Sequence, residues 1–380
     1  MAARDLYLNH AGTSWPKPSV VSDAVRDAMF VSPTQWAQRF NEAHQAIADY
    51  FGVSKREQIL LTPGCTSALA VGLSDALIAD GKRILTSSWE HHALLRPLFK
   101  LASNGVRVEH IPPEMSDSKS GYESPLDLDW LEQSLSRQDV SLVAITAACN
   151  VTGETMPYEQ VIRIAQRFGV TILLDAAQIV GWQRMDLPSL GADMVAFGGH
   201  KGLQAPWGIG GLYVSDRAKM ECVSSVCELP AEGSSSGERP PRPGYCDVGS
   251  VDQFALAGLN AAIRMLRDQD VNVCLQNARR QIQRFREKLH KIDGVCMYGA
   301  RDPDRAMPSL AFSVAGSSSS DIASILKQHS LVVGSGIQCA KLAHETLGTN
   351  DTGLVRISVG LGQPDDEIDE AIERIASALG

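Results

Sequence analysis

The chain has 380 residues, 44% hydrophobic and 21% charged, with a formal net charge of -9. That length supports a large core and two domains, and the mild acidity excludes a chain built to attract nucleic acid or an anionic membrane surface. No apolar run approaches the roughly 18 residues of a membrane span, and the start, Met1 to Tyr7, lacks the apolar core of a secretory signal, so the expected compartment is the cytoplasm.

In chain order, the first informative segment is Thr62-Pro63-Gly64-Cys65-Thr66-Ser67, followed by the helical spacing of Ala68, Leu69, Val71, Gly72, Leu73 and Leu77. Glycine and hydroxyls at a helix start offer N–H groups and a dipole to a phosphate; a plain capped helix is the alternative. Residues 141–146 form an apolar run fit for a buried strand. Val161, Ile164, Ala165 and Phe168 mark one helix face, Gly169 ends it, and residues 171–174 form the next strand. Strand, helix and strand at this spacing make a βαβ unit, which implies a parallel sheet with helices on its faces.

Ligand sites in such sheets gather at the carboxyl ends of strands. Asp175 closes the run Leu173-Leu174 and is either a loop or capping aspartate or a buried partner for a cationic heterocycle nitrogen. The run from Asp193 leads straight into Gly198-Gly199-His200-Lys201. The glycines permit close backbone approach. The lysine is either a solvated surface residue or a desolvated amine suited to Schiff-base chemistry.

Residues 231–245 are rich in Gly, Ser and Pro and read as a loop. A long helical stretch over about 253–290 follows, then short strands around 308–314 and 331–333. Ile368, Ala371, Ile372, Ile375 and Leu379 share one face of a last helix that Pro364 precedes. The expected organisation is an N-terminal segment (1–17) packing near the active site, a large domain (18–250) and a smaller α+β domain (251–380). The eight cysteines, at 65, 149, 222, 227, 246, 274, 296 and 339, show no CxxC pairing of the zinc type. Most are expected to be buried thiols, with one or two at most doing chemistry, and no metal site is expected.

The combination is more specific than its parts. The segments from Tyr7 to Pro18, Glu90-His91-His92-Ala93, Asn150-Val151-Thr152-Gly153, Asp175-Ala176-Ala177-Gln178, Gly199-His200-Lys201, Ser335 to Ala340 and Val355-Arg356-Ile357-Ser358 keep the order and spacing of one family. The chain resembles the class V aminotransferase group of pyridoxal-5′-phosphate (PLP) enzymes and, within it, the cysteine desulfurases, over nearly its whole length. The resemblance implies an α/β architecture, the fold type I PLP-dependent transferase, with a mostly parallel seven-stranded sheet in the large domain. It implies that Lys201 carries PLP and later moves protons at Cα, that Asp175 pairs with the pyridine nitrogen, that His91 stacks on the ring, and that Gln178 bonds the phenolate oxygen. Thr66 and His200 fall at the phosphate and Cys65 beside them against the cofactor, and Asn150 and Arg356 at the substrate carboxylate, with His10 at the substrate mouth. Gly249-Ser250 matches a pair that reaches the phosphate from a neighbouring subunit, so a homodimer with shared sites is expected.

Cys339 matches the cysteine that takes sulfur from the substrate as a persulfide while alanine leaves; an inert thiol is the alternative. His344, five residues on, either tunes that thiol or is structural. Several positions depart from the family pattern: Asn9-His10 for Asp-Asn, Gly198 for a serine, Gly334 for an arginine, Ala147 to Cys149 for a more polar stretch, and Leu361 to Pro364 for a more aromatic one. The changes at 10 and 334 lie near the expected substrate mouth and suggest an S-substituted cysteine as substrate. The expected activity is C–S cleavage of L-cysteine or such a derivative, with a sulfur-acceptor protein as a further partner. The alternatives are a cysteine-S-conjugate β-lyase giving thiol, pyruvate and ammonia; transamination, decarboxylation or epimerisation; and a non-catalytic sulfur-handling protein.

Overall fold

The computed structural model describes residues 4–75, 82–115, 122–218, 252–300 and 302–380. The loop read at 231–245, Ser250 and three cysteines (222, 227 and 246) lie outside the described residues.

The central sheet has seven strands in the order Ile59–Thr62, Gly210–Val214, Met194–Gly198, Thr171–Asp175, Val140–Thr146, Arg83–Ser87 and Arg107–Ile111. The last five pair in parallel, and Gly210–Val214 runs antiparallel to both of its neighbours. This is the mostly parallel α/β sheet expected from the βαβ pattern. Alternation decides its two faces. Leu142, Ala144, Leu173, Met194, Ala196 and Leu212 face one apolar layer, which includes Ala68, Leu69 and Leu73 of helix Cys65–Asp75 and Leu94 and Leu98 of helix His92–Ser103. Val143, Ile145, Ile172, Leu174, Val195 and Phe197 face the other, with Ile47, Val161 and Leu259. Because the strands are covered on both sides, they read as continuous apolar runs. Truncating a fully buried leucine such as Leu173 would cost about 2–5 kcal/mol.

The helical stretch after residue 252 is two helices, Gln253–Arg267 and Val271–Leu289. Asp270 breaks it: its carboxylate accepts the N–H groups of Asn272 and Val273 and caps the second helix. A three-stranded antiparallel sheet follows, Val295–Tyr298, Ser309–Val314 and Val355–Ser358, contacted by helices Val271–Leu289 and Ser319–Gln328; helix Asp365–Leu379 packs on those helices and buries Ile368, Ala371 and Ile375. The N-terminal strand Leu6–Leu8 pairs in parallel with Leu331–Val333. Single bridges then bring Asn9 to Ser358 and Gly334 to Arg356. The first residues and the segment around 334–339 thereby converge on the same end of the molecule.

Candidate active site at the strand ends

The register sets Thr146 beside Asp175, and Asp175 beside Ala196, at the carboxyl ends of three adjacent strands. Asp175 is buried, 3% exposed. Its Oδ1 accepts the N–H of Ala177 at 2.9 Å and the thiol of Cys65 at 3.4 Å. Burial pulls the Lys201 amine below the ordinary lysine range; the negative charge of Asp175 opposes this. The backbone between strand and lysine needs Gly199, since a Cβ there would sit 2.9 Å from the carbonyl of Ile209. A Cβ on Gly198 would touch Cys65 at 3.5 Å and His200 at 3.8 Å, so those two side chains flank it.

His91 caps helix His92–Ser103, its Nδ1 accepting the N–H of Ala93 at 3.0 Å. Burial, then the charge of Lys201, pushes its pKa down to about 4, which leaves a neutral ring. Glu90, fully buried, takes a hydrogen bond from Ser87. Burial, with the charge of Asp175 adding to it, raises its carboxyl well above the usual range, against the Ser87 hydrogen bond.

The N-terminal segment wraps the lysine from the other side. The carbonyl of His200 accepts the backbone N–H of Ser14 (2.9 Å), the hydroxyl of Thr13 (3.0 Å) and the amine of Lys17 (3.0 Å). Burial lowers Lys17 to about 8 and His200 to about 4. Gln178 donates through Nε2 to the carbonyl of Ala11 at 3.2 Å. His10 lies edge-on to Tyr7, with ring centroids 4.9 Å apart, and burial holds it at about 4. Gly360 makes room for that ring: a Cβ there would fall 2.4 Å from it.

Cys339 is exposed, in a loop with left-handed backbone at Gln338 (φ 49°) and Cys339 (φ 61°). Each such residue costs about 1–2 kcal/mol, so the loop needs anchors. His92 donates its N–H to the carbonyl of Cys339 at 2.7 Å, and Asn150 donates through Nδ2 to the carbonyl of Gln338 at 2.8 Å. The side chain of Gln338 donates to Leu354 at 3.0 Å. Arg356, buried and lowered to about 10 by that burial, donates to the carbonyl of Asn150 and, at 2.7 Å, to Oδ1 of Asn9. Gly334 is the close neighbour of that pair: a Cβ on it would meet Oδ1 of Asn9 at 2.9 Å. His344 is fully buried and bonds Thr349 through Nδ1 at 2.8 Å.

Buried polar atoms nearly always find a partner. Here His200 Nδ1, Asn150 Oδ1, Arg356 Nε and His10 Nδ1 have none among the described residues. With a desolvated lysine beside a buried aspartate, and a helix N-terminus carrying exposed Thr66, Arg356 Nε and the two histidine nitrogens can donate to an anionic ring compound with a phosphate and an amino-acid carboxylate beside it, while Asn150 Oδ1 can only accept, for instance from the substrate's amine. The chain brings together Lys201, Asp175, Cys65 and His91, and joins Asn150, Arg356 and Cys339 through one hydrogen-bonded loop. Asn9, Lys17, Tyr7 and Glu90 also belong to the cluster and carried no role in the sequence reading. The signal for Asn9 was available, as the residue that follows an apolar strand into a glycine turn. Among the described residues no group of three His, Cys, Asp or Glu is set to hold a metal.

The family model for class-V aminotransferases matches residues 7–370. A protein of Pyrococcus abyssi named as a probable cysteine desulfurase is 29% identical over 335 residues, covering 84% of this chain and 78% of that one. The cysteine desulfurase IscS of Pectobacterium carotovorum is 28% identical over 399 residues, with 99% and 93% covered. The apo structure of a cysteine desulfurase from Thermococcus onnurineus superposes with a TM-score of 0.84 at 26% identity, covering 99% of this chain and 94% of that one.

Proposed function

The chain belongs to the class-V aminotransferase family, and we propose that it is a PLP-dependent cysteine desulfurase that carries its cofactor on Lys201 and takes sulfur onto Cys339. One observation supports this reading most: the backbone of the Cys339 loop is tied to His92 and Asn150, and Cys339 acts electrostatically on the buried Lys201 amine, as Asp175 does.

PLP, when bound, supplies an aldehyde that captures amines and a ring that withdraws electrons from Cα. The chain's own residues do the rest. Lys201, its amine lowered by burial against the opposing charge of Asp175, would hold the cofactor aldehyde and move the proton at Cα. Asp175 would pair with the ring nitrogen, and the neutral His91 ring would pack on the cofactor ring. Gln178 would hold the phenolate oxygen, and Thr66, His200 and the start of helix Cys65–Asp75 would hold the phosphate. Arg356 and Asn150 hold the substrate carboxylate, Arg356 by exchanging its present partners for a two-pronged pair. Cys339 attacks the substrate sulfur as a thiolate. An S–S bond forms on Cys339, the Cβ–S bond breaks, its electron pair takes a proton at Cβ, and alanine leaves.

Cys339 is exposed, as transfer to an acceptor protein requires. We also propose a homodimer with shared sites, in which Ser250 serves the neighbouring phosphate. Mass spectrometry of the PLP-loaded protein after brief exposure to L-cysteine tests the reading. A persulfide on Cys339 is expected, and absence of any sulfur adduct there contradicts it.

A further inference from the structure

We propose that Cys65 is a positioning residue for Asp175: its thiol occupies Oδ1, which keeps Asp175 the charged partner of the cofactor's ring nitrogen and leaves Oδ2 to meet it. This rests on the assignment of the site to PLP and deepens it.

Cys65 opens helix Cys65–Asp75, and this end of the helix meets the end of strand Thr171–Asp175. Sγ lies 3.4 Å from Oδ1, within hydrogen-bond range for sulfur, and the N–H of Ala177 takes the same oxygen at 2.9 Å. Two donors on one carboxylate oxygen favour charge over proton uptake. The thiol is the donor of the pair, because burial and the neighbouring carboxylate both push it well above the ordinary thiol range, opposed by Lys201. The groups that act on this corner from other elements are Glu90, a buried acid whose carboxyl burial pushes upward, Lys201, and His91, held neutral. None of these donates to Oδ1; among the described residues only Ala177 and Cys65 do. If the donor is lost, the shared proton moves from the ring nitrogen toward Asp175, and the ring withdraws electrons less well. The neighbour across from Cys65 is Gly198, which presents no side chain to it.

The test uses the full chain loaded with PLP isotopically labelled at the ring nitrogen, in wild type, Cys65→Ala, Cys65→Ser, Asp175→Asn and the double variant Cys65→Ala/Asp175→Asn. Nuclear magnetic resonance reads the protonation of that nitrogen directly, and deuterium exchange at Cα of L-alanine reads proton removal. Cys65→Ala is expected to move the resonance toward the unprotonated pyridine and to slow exchange about 2- to 10-fold. Cys65→Ser, which restores a donor, recovers most of both. In the Asp175→Asn background, Cys65→Ala leaves the resonance where it is. An unchanged resonance in loaded Cys65→Ala, or an equal displacement with Asp175 replaced, overturns the proposal alone. A wild-type protein that takes up no labelled cofactor overturns the PLP assignment and the proposal together.

Discussion

The carbonyl of Cys339 accepts the backbone N–H of His92 at 2.7 Å, one residue from the ring of His91. A loop with two non-glycine residues in the left-handed region is thereby fastened to the start of the helix His92–Ser103 that His91 caps.

The second fastening is Asn150, which spends Nδ2 on the carbonyl of Gln338 and has Oδ1 unpaired. Asn150→Ala removes both the anchor and a group for the substrate. Hydrogen bonds to charged groups carry about 1.5–3 kcal/mol, so kcat/KM for L-cysteine should fall about 10- to 100-fold. Steady-state kinetics checks this, and a change smaller than about twofold would remove Asn150 from the site.

Gly334 stands where an arginine is common in the family pattern, and any side chain there would press on the Asn9–Arg356 pair. A Cβ would lie 2.9 Å from Asn9 Oδ1 and 3.3 Å from Nη2 of Arg356. Gly334→Ala should push Asn9 off Arg356 and disturb the group meant for the substrate carboxylate. The expected result is a KM for L-cysteine raised about tenfold with a smaller change in kcat, together with about 1–3 kcal/mol of lost stability from overpacking. Kinetics and urea unfolding read the two effects separately.

Acid should loosen the cofactor-free fold in a defined window. Burial holds His10, His91 and His200 at about 4, below the roughly 6.5 of an unfolded chain. Between those values the unfolded chain binds more protons, so unfolding takes them up. Stability is therefore full above about pH 6.5 and falls as pH drops toward 4, by up to about 1.4 kcal/mol per pH unit for each histidine. Urea midpoints at about pH 7 and about pH 5 should show the drop. His200→Asn should reduce it, and a midpoint that does not change with pH would mean these rings are not held neutral.

Much of this architecture was legible in the chain because burial on both faces of a sheet writes continuous apolar runs. The strand ending at Asp175 and the helix Tyr158–Arg167 lie where their periodicity put them. The two helices of 253–289 read as one because Asp268-Gln269-Asp270 interrupts the chain without glycine or proline, and the only local sign of the break is the capping carboxylate of Asp270. The pairing of Leu6–Leu8 with Leu331–Val333 spans most of the chain and has no local signature, so the contact of Asn9 with Arg356 could not be read. The same holds for Lys17 on the carbonyl of His200 and for the thiol of Cys65 on Asp175. Each joins residues far apart in sequence through a single polar atom.

The most direct measurement is the amino-acid product formed from L-cysteine and from a simple S-alkyl cysteine by the PLP-loaded protein, with and without Cys339→Ala. The account predicts alanine from L-cysteine, lost when Cys339 is replaced. Pyruvate and ammonia, formed equally well by the Cys339→Ala protein, would contradict it and assign the site to β-elimination.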